Sequence, residues 1–391
     1  MAHALIFGAS GISGWSLLNQ TRVYPSETAF KRITGTTNRP LALNQALIAE
    51  DEKIKLISGI DLRAGVEEVV AKLQNQIPDI ATNIRVVKST ILIPCAAYIQ
   101  EKTPEKMKTT NTHILEVAIQ AAEKVAPNLQ TFILQTGGNG YGLEFPDQVQ
   151  IKAPLSESLP RIPEPWASKV FYYAQHDLLI AASRNKKWTF SEIRPEVIVG
   201  FSPSSNFMNL AQGLGALLSL YKEVKGAGTS FPFPGTLSGY NATFTDTSQD
   251  ILAKMEIFAA LNPETCGKGA IINVADGPTM TWAQLWPRLC EHFGLVGTGP
   301  QDNNISTQDF VNKHKDAWLK IAKRHGLSEK VVEQMDWAFI HFVLTDFAFD
   351  REYDLAYSRK LGFTEKVDTV HGYITAWERM RQAKILPPKG S

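Results

Sequence analysis

Short apolar runs alternate with helix-period stretches through the first two hundred residues. The runs lie at 4–7, 31–40, 54–63, 86–98, 131–138 and 188–200 and read as strands. Between them, "GISGWSLLNQ" opens an amphipathic helix, and "TTNTHILEVAIQAAEKV" (109–125) carries apolar residues at 114, 115, 118 and 122, one face of another. Strands alternating with helices predict a doubly wound α/β fold of Rossmann type, with a parallel sheet and right-handed crossovers. In such a sheet a ligand sits in the crevice at the carboxyl ends of the strands. From about residue 200 the pattern changes to helices, at 249–261 and 281–294 and through an aromatic-rich tail, with one more strand at 269–276. The expected division is a nucleotide-binding part over 1–200 and a mainly helical, substrate-covering part over 201–391, interleaved with the first. Trp282, Trp286, Trp337, Phe339, Phe342, Phe347 and Phe349 are candidates to line a hydrophobic pocket, with the core as the competing place for each. The polar segment 300–335 reads as a helical surface elaboration near the pocket mouth.

Composition narrows the classes. The chain has 391 residues, 44% hydrophobic and 20% charged, with a formal net charge of +1, which argues against binding nucleic acid by phosphate neutralisation. The apolar-rich stretch 210–221 is too short and too interrupted by glycine to span a bilayer. Cys95, Cys266 and Cys290 show no metal or disulfide spacing, so no metal site is expected and each reads as a small buried hydrophobe. Strand-like sequence begins at once, without a basic, apolar leader, and a reducing, cytoplasmic location is expected. Oligomeric state stays open, with a homodimer as the assembly entertained.

Candidate chemistry begins in "ALIFGASGISGWSLLNQ". Gly8, Gly11 and Gly14 stand between a strand and a helix: the first for the tight turn, the second for close approach of a pyrophosphate, the third for close helix packing. With Ser10 and Ile12 they form the phosphate side of a dinucleotide site. The second strand ends in Thr36, Thr37, Asn38 and Arg39 instead of the carboxylate that would hold a ribose 2′-hydroxyl, and Arg39 can fork onto a 2′-phosphate. NADPH/NADP is therefore the expected cofactor. Asp61 and Leu62 are placed at the adenine edge, and Pro94 and Thr136 to Tyr141, Gly137 among them, toward the nicotinamide.

The stretches "GASGISG", "TTNRP", "LQTGG", "FYYAQHDLL", "RPEVIVGFSP", "FPFPG", "INVADG" and "TWAQLWPRLCEHFG" give the chain a resemblance along nearly its whole length to one family. It is similar to the short-chain dehydrogenase/reductases of the progesterone 5β-reductase/iridoid synthase-like (PRISE-type) group, fungal members above all. The resemblance implies an NADPH-dependent enone reductase, or a relative that cyclises reactive terpenoid products. It also implies a helical C-terminal part over a small hydrophobic substrate, and a catalytic lysine–tyrosine pair. Carried over, the tyrosine falls in "VFYYAQHD", with Tyr173 preferred and Tyr172 beside it, in the role of holding a carbonyl oxygen as it gains charge. The lysine position holds Asn139, in "TGGNGYG" with Tyr141 two residues on. Asn139 can donate a hydrogen bond but carries no charge. Family Asn and Glu positions hold Val170 and His176, and His176 is the histidine that sequence logic puts nearest the site. Lys169 is near in sequence, with nothing to place its ammonium in the crevice. Asn111 is set behind the site, and Arg194 to Pro203 beside the nicotinamide, with the Ile198 backbone touching the ring. Three readings stay open: a reductase working with Tyr173 alone or with Asn139, a non-redox cyclase or isomerase with NADP(H) structural or dispensable, and an NADP(H)-binding sensor.

Overall fold

The computed structural model describes residues 2–77, 89–94, 99–203, 208–302 and 306–390, for 89–94 the backbone alone. Cys95 lies outside them. Seven strands form one sheet: β1 (Ala2–Phe7), β2 (Phe30–Thr37), β3 (Ile54–Ser58), β4 (Ser89–Pro94), β5 (Leu129–Gln135), β6 (Thr189–Pro195) and β7 (Ala270–Val274). Their order is β3-β2-β1-β4-β5-β6-β7 and every pairing is parallel. The chain leaves β1 for one edge and returns through β4 to the other, so the strand order reverses between β1 and β4. That reversal is the topological switch point at which the crevice opens.

Helices cover both faces. On one side lie α2 (Val66–Gln76), α3 (Pro104–Val125) and α4 (Phe171–Ser183), while α1 (Ile12–Gln20) packs with α6 (Gln249–Leu261), and α6 touches β4, β5 and β6. α3 begins at Pro104, five residues before the apolar periodicity begins at 109, because Thr103 accepts a capping hydrogen bond from Lys106 N (3.3 Å) and proline suits the first turn. Between α4 and α6 runs α5 (Leu210–Lys225), whose first eleven residues are all buried, the mark of a helix inside a core. Its Gly215 lets the C-terminal helix α9 (Thr369–Gln382) in close: a Cβ there would meet the Trp377 indole nitrogen at 2.8 Å. Trp377 in turn donates to Ala211 O (2.7 Å). No helix of the described residues is long and apolar enough to cross a membrane.

The second half adds more than a cover. It supplies β7 to the main sheet, and one hydrophobic cluster runs from Ile6 and Trp15 through Leu214 to Trp377. Segment 300–335 differs from the expected surface elaboration. Phe310, Val311, Trp318, Ile321 and Ala322 are buried in that same core, from two helices (Thr307–Lys313, and α8, Lys315–His325, numbered after α7, Trp282–His292). Its polar residues form one helix face, and the apolar face was hidden among them. Cys266 and Cys290 are buried and free.

A polar layer ties the end of β7 to α9. Asp276 Oδ1 accepts from Ser248 N (2.7 Å). Burial pushes its carboxyl up to about 7, with the hydrogen bond from Ser248 N opposing and the Asp368 charge adding. Between the ordinary value of 3.8 and about 7 the folded state therefore holds a proton the unfolded chain has lost. Stability from this group is full below the ordinary value and declines as pH rises to about 7, by up to about 4 kcal/mol. Asp276→Asn keeps the acceptor and removes the charge. It is expected to match the wild type in urea unfolding near pH 4 and to be more stable at pH 8; equal stability at pH 8 would rule out a charged, buried Asp276.

Candidate active site

A cleft of about 1170 Å³ opens at the carboxyl ends of β1, β5 and β6. At one end is the turn after β1. Gly8 has φ +74°, left-handed and open to glycine. A Cβ on Gly14 would lie 2.8 Å from the Gly8 carbonyl carbon and deeper still into its oxygen, so the first turn of α1 sits against the glycine turn with no room for a side chain. Gly8, Ser10, Gly11, Ile12 and Gly14 all line the cleft. Gly14→Ala should push α1 off the turn, lower stability by about 1–3 kcal/mol and weaken dinucleotide binding. Calorimetric titration of the purified variant with NADPH checks this, and unchanged affinity would dissociate the turn from cofactor binding.

The adenine side divides the sequence candidates. Asn38, Arg39 and Leu62 line the cleft, and Thr37 and Asp61 do not. Thr37 is buried and donates through Oγ1 to Arg39 O (2.7 Å), so it shapes the turn that presents Arg39. Asp61 caps the short turn after β3 and grips Arg63 (2.6 Å). That Arg63 pairing, aided by a hydrogen bond from Asn38, lowers its carboxyl to about 2. This acid is thus already committed to a cation. Pro94 ends β4, and its side chain lies outside the described residues.

The turn after β5 forms the other end of the cleft. Thr136, Gly137, Gly138 and Asn139 line the cleft, with Pro195 to Ile198 opposite. Below them Glu192, on β6, is a buried hub. It accepts from Thr136 Oγ1 (2.7 Å), from Arg194 (2.7 and 3.1 Å) and pairs with His176 Nδ1 (2.7 Å). Burial alone would raise its carboxyl, but Arg194, His176 and Thr136 prevail and hold it at about 2. Asn111, on α3, was expected behind the site but lines the cleft itself, where it holds the backbone N–H and C=O of Ile99 (2.9 Å each).

Here the structure redistributes the candidate roles. Tyr172 lines the cleft; Tyr173 does not. The Tyr173 hydroxyl donates to Gly140 O (2.8 Å) and accepts from Ile162 N (3.1 Å), and its ring packs with Val149, Ile162 and Val170. It fastens the 140–162 segment to α4. The Tyr172 hydroxyl stands beside the turn after β5, 3.5 Å from where a Cβ on Gly137 would be. Geometry therefore moves the candidate phenol from Tyr173 to Tyr172. Tyr141 is also withdrawn: its hydroxyl donates to Asn273 Oδ1 (2.7 Å), the Arg194 guanidinium covers its ring (4.5 Å), and burial pushes its phenol up to about 12. His176 is turned onto Glu192, away from the cleft, where it holds the floor of the site.

Two residues enter that the sequence did not place there. Glu144 lines the cleft five positions past Asn139. It is open to the cleft but enclosed by its walls, an enclosure that raises its carboxyl, while a hydrogen bond from Asn139 opposes the rise. The amide at the family lysine position is thus engaged with a carboxyl. Lys169 also lines the cleft, its ammonium 4.0 Å from the Trp166 ring and 6.0 Å from Phe145; the two rings lie 5.0 Å apart at a 40° tilt. Trp166 is three residues before it, but Phe145 is 24 residues away, so this pairing left no signal in the sequence.

Of the seven tail aromatics, Phe339, Phe342 and Phe347 line the cleft. Trp282, Trp286 and Trp337 are buried in the core, and Phe349 packs against that core instead of lining the cleft.

Residues 4–387 match the family model described as a PRISE-like Rossmann-fold domain. A short chain dehydrogenase of Aspergillus calidoustus, ausT, is 33% identical over 393 residues, covering 99% of this chain and 94% of its own. An (S)-8-oxocitronellyl enol synthase of Nepeta racemosa is 29% identical, covering 98% and 93%. Among solved structures, UDP-glucuronic acid 4-epimerase from Bacillus cereus in complex with NAD superposes with a TM-score of 0.58 at 14% identity, covering 97% of this chain and 99% of that one, a likeness of fold. A cleft at the switch point of an all-parallel sheet, a glycine turn at one end and a tyrosine at the other, and a family match spanning the chain agree: the protein belongs to the PRISE-like Rossmann-fold family of short-chain dehydrogenase/reductases.

Proposed function

We propose that the protein is an NADPH-dependent reductase acting on an enone or carbonyl of a hydrophobic, terpenoid or polyketide-like secondary metabolite. The observation that carries this reading is that one continuous cleft holds the glycine turn and Arg39 at one end, and Tyr172 and Asn139 at the other. An apolar wall of Phe145, Phe171, Met208, Phe339, Phe342 and Phe347 completes it. The residues present fit the cofactor: the glycine cradle leaves backbone N–H groups for a pyrophosphate, and Asn38 and Arg39 face a 2′-phosphate with Asp61 neutralised by Arg63. Leu62 would bound the adenine, and Thr136, Gly137 and Pro195 to Ile198, which line the opposite end of the cleft, would hold the nicotinamide.

NADPH, when bound, supplies the hydride. Tyr172 donates a hydrogen bond to the substrate carbonyl oxygen, where negative charge grows as the β-carbon accepts the hydride. Asn139 gives that oxygen no positive charge. Its amide orients Glu144, and the aromatic wall excludes water from the developing enolate.

A second reading, a cyclase or isomerase that polarises a carbonyl with Tyr172 and leaves NADP(H) structural or dispensable, is favoured by the missing lysine charge.

Arg39→Ala is expected to weaken NADPH binding about 10–100-fold, the worth of a charge-assisted hydrogen bond, and to leave NADH binding unchanged. Fluorescence titration of both nucleotides checks it. Equal effects on the two would remove Arg39 from cofactor selection. Asn139→Lys, assayed beside wild type with NADPH and a panel of enones, separates the two chemistries. Turnover by the wild type supports reduction, whereas turnover by the lysine variant alone supports the second reading.

A further inference from the structure

Among the described residues, three acids line the cleft: Glu101, Glu144 and Glu196. Two of them are committed. Glu101 accepts from Thr110 Oγ1 (2.9 Å), and Glu196 holds Arg351 (2.8 Å). Glu144 pairs with no cation among the described residues.

The chain carries Glu144 to the cleft by a short reversal. After β5 a helical turn, Gly138–Tyr141, ends at Gly142, whose φ of +84° favours glycine. Gly142 N donates to Asn139 O (3.0 Å) and Phe145 N to Gly142 O (2.8 Å), so the chain doubles back over the turn. Leu143 folds onto Gly138, where a Cβ would meet its Cδ1 at 2.5 Å. Leu143, Glu144 and Phe145 thereby return to the cleft that Gly137, Gly138 and Asn139 line. Tyr172 reaches the same end from α4, its hydroxyl beside Gly137. A phenol and a carboxyl thus meet one compartment from two separate elements. The enclosure raises the pKa of Glu144, and the Asn139 amide is the group that opposes the rise. A carboxyl so placed keeps its proton to higher pH than it would in water and can release it inside the cleft.

Reduction of an enone calls for such a group. The hydride accounts for the β-carbon, and a proton must follow at the α-carbon. Tyr172, which donates its hydrogen bond to the carbonyl oxygen, leaves that proton unsupplied.

We propose that Glu144 is the acid that delivers the proton to the α-carbon of the substrate. The proposal rests on the reductase reading and completes its balance. Hydride forms the C–H bond at the β-carbon while the C=C electron pair shifts and the carbonyl π pair moves onto oxygen. The enolate so formed takes the Glu144 proton at the α-carbon as the carbonyl re-forms. Glu144 is left as a carboxylate and, open on its cleft side, recovers a proton from water once the product leaves.

The test uses the full chain with NADPH in D2O and the enone that the wild type turns over fastest, beside Glu144→Gln and Glu144→Asp. The wild type is expected to place deuterium on one face of the α-carbon, read by NMR. Glu144→Gln should lower kcat about 10²–10⁴-fold, the usual worth of a positioned acid. Its NADPH affinity and melting should be unchanged, and its residual product should carry deuterium on both faces. Glu144→Asp should restore part of the rate and the one-face outcome, which a purely structural role would not require. Wild-type kcat should fall as pH rises through the raised Glu144 value, because the protonated form acts, and Glu144→Gln should lose that limb. The other charged or titratable groups facing it across the cleft are Lys169 and Tyr172 at the start of α4, Glu196 paired with Arg351 after β6, and Glu101 and Lys102 ahead of α3. Asp147→Asn, on the same segment but outside the cleft, should behave as wild type. Glu144→Gln with wild-type kcat and deuterium on one face would overturn the proposal and leave the reductase reading in place. A wild type that oxidises NADPH with no enone would overturn both.

Discussion

Tyr172→Phe is expected to lower NADPH-dependent turnover about 10²–10³-fold, with nucleotide affinity and folding unchanged, while Tyr173→Phe does the reverse. Removing one preorganised donor from a developing oxyanion costs about 3–4 kcal/mol of transition-state stabilisation. Tyr172 stands beside Gly137 in the cleft wall, where that donor would act. The Tyr173 hydroxyl serves Gly140 O and Ile162 N instead. Losing it would leave two buried backbone groups short of a partner and lower stability by about 1–3 kcal/mol. Steady-state kinetics and urea unfolding of the two variants separate the roles. If Tyr173→Phe is the one that stops turnover while remaining as stable as wild type, the assignment is reversed.

Arg351→Met is expected to destabilise the protein by about 3–5 kcal/mol, the usual effect of stripping one partner from a buried ion pair. Arg351 Nε donates to Glu196 Oε1 at 2.8 Å, and both side chains are wholly buried. The guanidinium is held between Phe244 (4.7 Å) and Phe347 (4.5 Å). Glu196 belongs to the cleft wall after β6, and the neighbouring Pro195 carbonyl accepts the Tyr353 hydroxyl (2.9 Å). Two residues of one C-terminal segment thus pin the wall assigned to the nicotinamide. Loss of Arg351 should also raise KM for NADPH more than it lowers kcat. In a double-mutant cycle, Arg351→Met with Glu196→Leu should cost less than the sum of the two single changes, since no unpaired charge remains. Additive losses would mean that the two charges do not interact.

The nucleotide half was legible because its signals are local. A buried strand, glycines at three-residue spacing and a helix start need few distant contacts to take shape, and Gly8, Gly11, Gly14, Asn38, Arg39 and Leu62 all arrive at the cleft. The α3 boundary shifted because Thr103 and Pro104 set the start while the apolar periodicity begins later. Which of the two tyrosines faces the cleft was not legible, for a different reason. Successive residues of a helix point about 100° apart, and α4 carries apolar residues all round, so its sequence does not reveal which face meets the cleft. Tyr173 and Asp177 share a face with Arg161, which lies over the Tyr173 ring (4.7 Å) and pairs with Asp177 (2.6 Å). Tyr172 looks the other way. Glu192 and Glu196 were unreadable because a carboxylate in or beside a strand shows its partners only when the sheet and the C-terminal segment are assembled. His176 drew attention by its motif position, but its ring answers to Glu192 across the chain, a contact that spacing does not encode.

The central claim, hydride transfer in the cleft, is tested most directly by isotope. Wild-type protein would be incubated with NADPH deuterated at the transferring position and with a terpenoid enone, and the product examined by mass spectrometry. The account predicts one deuterium at the β-carbon for each NADPH oxidised, and loss of both in Tyr172→Phe. A product formed without deuterium and without NADPH consumption would contradict it and assign the cleft to cyclisation or isomerisation.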